Sequence, residues 1–94
     1  MTNVIGLIET KGFISSLQAI TVMLKSFDVK LVGVKEIGLA LVTVAITGEE
    51  QEVKNALDLA AEEAGCLGEV YAVNIIKDAP REIIEFIKKN NNNI

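Results

Sequence analysis

The chain has 94 residues, half of them hydrophobic, with a formal net charge of −4 and a mean hydropathy of +0.39. That length fits one domain, and because a chain so short buries only about 60% of its unfolded surface, part of this apolar content is expected to lie between subunits. The scattered, net-acidic charge argues against a nucleic-acid partner, which needs clustered Lys and Arg, and no apolar run approaches the about 18 residues of a membrane span.

The first residues, MTNVIGLIET, lack the basic stretch and apolar run of a signal peptide. Residues 3–9, NVIGLIE, read as a strand, with Gly6 a site of close backbone approach. Thr10-Lys11-Gly12 then turns the chain into an apolar-periodic helix from Phe13 to Phe27, on which Leu17, Ile20, Leu24 and Phe27 share a face. Residues 29–35, VKLVGVK, alternate as a second strand, and residues 40–47, ALVTVAIT, form a third, rich in β-branched residues and broken by Gly48. Between them the tip Ile37-Gly38-Leu39-Ala40 is apolar, whereas a tight hairpin facing water normally carries polar residues.

The run EEQE at 49–52 puts negative charge on the first turn of a second helix, where the dipole favours it. Val53, Ala56, Leu57, Ala60, Ala61 and Ala64 supply its buried stripe, and the alanines imply close packing on a sheet. Gly65 and Gly68 frame its exit. A fourth strand covers 69–77, Pro80 opens a short helix REIIEFIKK, and NNNNI at 90–94 reads as a disordered polar tail. The order β-α-β-β-α-β plus a terminal helix predicts a ferredoxin-like α+β fold, an antiparallel sheet with both main helices on one face.

Catalytic and metal chemistry is poorly supplied. The chain has no His and a single Cys, which removes the commonest general base and any zinc cluster, and it leaves no disulfide framework, as fits a reducing cytosol. Neither GxxxxGK(S/T) nor GxGxxG occurs. Glu49, Glu50, Glu52, Glu62 and Glu63 read as a solvated acidic face. No cofactor is expected, and the chain is not expected to be an enzyme. Cys66, at a helix end, reads as a small structural residue.

The spans IGLIETKG (5–12), KLVGVKEIGLALVTVAITGE (30–49) and GEVYAVNII (68–76) together resemble the bacterial microcompartment domain. The resemblance runs over residues 3–86, within a shell domain expected at 1–89. It implies a structural shell subunit of a polyhedral bacterial organelle, in the bacterial cytoplasm. Such a subunit forms a cyclic homo-hexamer, tiles with shell paralogues around encapsulated enzymes, and passes metabolites through a central pore. Ile37, Gly38, Leu39 and Ala40 would line that pore, so the greasy tip would press against its own symmetry copies.

Departures from the family pattern carry information. Where members have Lys-Ile-Gly-Ser-Gly or Lys-Ile-Gly-Gly-Gly, this chain has Glu36-Ile37-Gly38-Leu39-Ala40. Leu39 would narrow the opening and remove hydrogen-bonding groups from it, unless it packs sideways into a neighbouring subunit. Glu36 at the pore mouth, in place of a lysine, would repel anions. Lys25 matches the family's edge lysine at the contact between hexamers, its plainer reading being a solvated helix residue. Asp78 stands where many members place the Arg of Pro-Arg-Pro-His, as an edge residue or as a cap for the last helix. The rival reading is a ferredoxin-like regulatory domain, a trimer or dimer binding a metabolite near Thr10-Lys11-Gly12.

Overall fold

The computed structural model describes residues 4–37 and 40–89, with the side chain of Ile37 left out. The elements follow the expected order: β1 (Ile5–Lys11), α1 (Phe13–Ser26), β2 (Val29–Ile37), β3 (Leu41–Gly48), α2 (Glu50–Gly65), β4 (Val70–Ile76) and α3 (Arg81–Lys89). The four strands form one antiparallel sheet in the order β2-β3-β1-β4. This is a split β-α-β arrangement in which β3 is inserted between β1 and β2.

Strand alternation assigns the two sheet faces. Ile8 of β1 and Val42, Val44 and Ile46 of β3 point to α1 and α2, where they join the main core. α2 contributes Val53, Ala56, Leu57, Ala60 and Ala64, all fully buried, as its alanine stripe predicts; Ala61 lies at the edge and packs in partly. Gly6 is what lets α2 come this close. A Cβ there would sit 2.6 Å from Val53 Cγ1 and 3.0 Å from Leu57 Cδ1. The Glu49 carboxylate accepts from the backbone N–H groups of Gln51 and Glu52 and so caps the start of α2.

α1 departs from expectation. Its buried residues are Ser15, Ser16, Ala19 and Met23. Ile20 and Phe27 pack partly against the core, but Leu17 and Leu24 remain 41% and 43% exposed. The small side chains of Ser16 and Ala19 let the helix lie close to the sheet, and this turns the larger leucines to the flank. Ser16 is satisfied by donating to the Phe13 carbonyl at 2.6 Å.

The opposite face of the sheet carries Ile5, Leu7 and Ala45, and α3 crosses it, packing Ile84 and Ile87 on a second, smaller core with Ala79 and Ile76. None of the α3 side chains is fully buried, so this layer is thin.

Candidate functional site

The β2–β3 hairpin is the feature the sequence singled out. Its arms pair down to Ile37↔Leu41, and Gly38 and Leu39 lie outside the described residues. Ala40 leaves the tip with φ +72, a left-handed conformation that costs a residue with a Cβ some strain. Its carbonyl accepts from the Gly12 N–H at 2.6 Å. Gly12 has φ +93 with open space around its missing Cβ, so the conformation, rather than crowding, selects glycine there. The β1–α1 turn therefore buttresses the hairpin tip. Lys11 ends β1, its N–H donating to the Glu69 carbonyl and its ammonium 3.8 Å from the Glu69 carboxylate. Glu36 is exposed and pairs with Val42 across the strands.

Lys25 sits exposed in the last turn of α1, where a cation complements the helix dipole. Asp78 occupies the turn after β4 with φ +52, and among the described residues its carboxylate caps nothing on α3. That helix begins instead with the Ile83 N–H donating to the Pro80 carbonyl at 3.0 Å. No bond joins Lys25 to Asp78 among the described residues.

The expected acidic face of α2 is only partly solvated. Glu50 pairs with Lys77 at 3.1 Å and with Lys54 at 3.3 Å, and the two ammonium groups hold its carboxyl below the ordinary value of 4.5. Glu52 accepts from the Asp28 N–H at 2.8 Å, tying α2 to the start of β2. The contacts of Glu50 with Lys77 and of Glu52 with Asp28 join residues far apart in the chain and leave no local signature, whereas Glu50–Lys54 is an i,i+4 pair within the helix. Cys66 is exposed at the end of α2, its thiol against the Glu62 carbonyl.

Several large apolar side chains are exposed on the described surface. Phe13, Ile14, Leu17 and Leu24 are exposed along α1, Leu31 on the edge strand β2, and Tyr71 and Val73 on the other edge strand, β4. Exposed strand edges and contiguous apolar side chains mark surfaces that associate. Among the described residues no group of three or more His, Cys, Asp or Glu could hold a metal ion, and no helix is long and apolar enough to cross a membrane.

A four-stranded antiparallel sheet with two helices on one face and a third on the other defines the class: a ferredoxin-like α+β domain. Residues 4–79 match the BMC domain, and the chain belongs to that family. It is 39% identical over 85 residues to the bacterial microcompartment shell protein PduA of Citrobacter freundii, covering 90% of this chain and 91% of the relative. It is 40% identical over 72 residues to the shell protein EutM of Escherichia coli K12, covering 77% and 74% of the two chains. In fold it is similar to a microcompartment protein of Desulfitobacterium hafniense, with a TM-score of 0.81 at 21% identity, over 98% of this chain and half of that one. Its curated relatives are shell components, which supports a structural role in a microcompartment shell.

Proposed function

We propose that the chain, through a shell domain at residues 1–89 followed by a polar tail at 90–94, forms a cyclic hexamer. In this reading the hexamer tiles with copies of itself and with shell paralogues around encapsulated enzymes, in the bacterial cytoplasm, without catalysing a reaction. The hairpin tips meet on the ring axis, where Ile37, Gly38, Leu39 and Ala40 line a pore for metabolites. Leu39 narrows the pore and makes it apolar, so polar solutes cross poorly because an apolar constriction dewets. Glu36 at the mouth disfavours anions. Lys25 and Asp78 lie at the contact between rings.

The observation that supports this reading best is the apolar hairpin tip in a chain that spans nine-tenths of its shell-protein relative. Such a tip is stable when it is covered, and cyclic symmetry covers it with its own copies. The exposed apolar residues on α1 and on the β4 edge then serve contacts between neighbouring subunits. Electron microscopy of the concentrated chain tests the tiling. Wild type is expected to form hexagonally packed sheets, and Lys25→Ala to form rings without sheets; wild-type rings that never pack into a lattice would contradict it.

A further inference from the structure

The shell reading makes no use of the second sheet face, yet that face holds a built cleft. α3 crosses it without filling it, leaving a cavity of about 420 Å³ between helix and sheet, within the range of roughly 300–1,000 Å³ typical of small-molecule sites. The floor is hollow for a reason visible in the register. Gly33 of β2 pairs directly with Ala45 of β3, so two small residues stand side by side where larger ones would fill the space. Leu7 and Ile76 flank this floor, and Ile83, Phe86 and Ile87 roof it from α3.

Against these apolar walls stand two polar groups, two residue pairs further along the same strands and so on the same face: Lys35 and, across from it, Thr43. Among the described residues, Lys35 is the one charged side chain lining the cleft. Its ammonium lies 5.3 Å from the centre of the Phe86 ring, at the end of the roof, and forms no ion pair among the described residues. Glu36, the next residue, pairs with Val42 and so belongs to the other sheet face. Glu9 faces Thr43 from β1 and bounds an adjoining hollow, where it would repel a second negative charge.

We propose that this cleft binds a medium-chain aliphatic monocarboxylate. Its chain lies beneath α3 against Leu7, Ala45 and Ile76, and its carboxylate accepts hydrogen bonds from Lys35 Nζ and the Thr43 hydroxyl. A single cation opposite an apolar slot selects one negative head group on an apolar tail, and Glu9 selects against a dicarboxylate. The site lies within one subunit, so it stands or falls independently of the hexameric reading.

The test is a methyl-resolved NMR titration of the full chain with sodium octanoate and, separately, with 1-octanol. Octanoate is expected to shift the Leu7, Ile76, Ile83 and Ile87 methyl signals saturably and to bind about tenfold or more tightly than octanol, as a charge-assisted pair requires. Lys35→Met is expected to remove that preference while leaving the weak octanol binding in place, and Ala45→Leu to abolish both by filling the floor. No saturable shift at these methyls, shifts confined to Leu17 and Leu24 of α1, or an octanoate preference that survives Lys35→Met would each overturn the proposal. Because Lys35 is a partly exposed strand residue, its variant carries the test even if Ala45→Leu disturbs the fold.

Discussion

An alanine at position 6 should destabilise the chain, and the structure allows the effect to be worked out. The added Cβ would lie 2.6 Å from Val53 Cγ1, 3.0 Å from Leu57 Cδ1 and 3.2 Å from Ile46 Cγ1. Val53 would have to retreat by about 0.8 Å to regain ordinary contact. All three neighbours are fully buried in the main core, so no flexible chain end can swing into solvent. Overpacking of this kind costs about 1–3 kcal/mol, and the reduced entropy of the unfolded chain returns about 0.4–1 kcal/mol. A net loss of about 1–2 kcal/mol lowers the melting temperature by roughly 5–15 °C for a domain of this size. Circular dichroism melts at one fixed protein concentration measure it, since association makes Tm depend on concentration. Val53→Ala in the same chain removes the clashing methyl, so the double variant should lose less than the two single losses combined, a coupling of about 0.5–3 kcal/mol. Gly6→Ala melting at or above wild type would refute the claim that glycine sets the approach of α2 to the sheet.

Leu39→Ser should leave the ring intact and increase the passage of polar solutes through assembled shells; unchanged permeability in a solute-leakage assay would count against Leu39 as a pore residue. Glu36→Lys should favour anions over cations in the same assay, with the difference shrinking as salt is raised. Glu50 has a folded-state pKa below its ordinary value because Lys77 and Lys54 donate to it. Its contribution to stability is therefore present above pH 4.5 and is lost as the pH falls through the lower folded-state value. Melts of wild type and Glu50→Gln should accordingly converge in acid and differ slightly near neutrality, where the exposed pairs are worth little.

The element order and the buried stripe of α2 were legible in the sequence because each follows from local periodicity. The close approach at Gly6 was legible too, because a glycine inside a strand pattern, facing a helix lined with alanine, has few other uses. The α1 face was misjudged through reliance on its largest apolar residues. Ser16 and Ala19 sit one position away from Leu17 and Ile20, and it is the small residues that a helix lying close to a sheet must bury. The place of α3 was hidden for a different reason. Its spacing at Ile83, Ile84 and Ile87 announces an apolar face, but the partner is the far face of the sheet, chiefly β2, with Leu7 of β1 and Ala45 of β3 beside it, far away in the chain. The Glu50–Lys77 ion pair is tertiary in the same sense. The pore and edge residues came from the resemblance to a family. Of these, Glu36, Ala40, Lys25 and Asp78 can be located fully in the fold, whereas Gly38 and Leu39 lie outside the described residues.

The central claim is that this chain is a ring-forming shell subunit, and native mass spectrometry at low protein concentration tests it most directly. The account predicts a dominant species at six times the 10.1 kDa protomer. A clean dimer or trimer would contradict it and would return the small regulatory domain to the front.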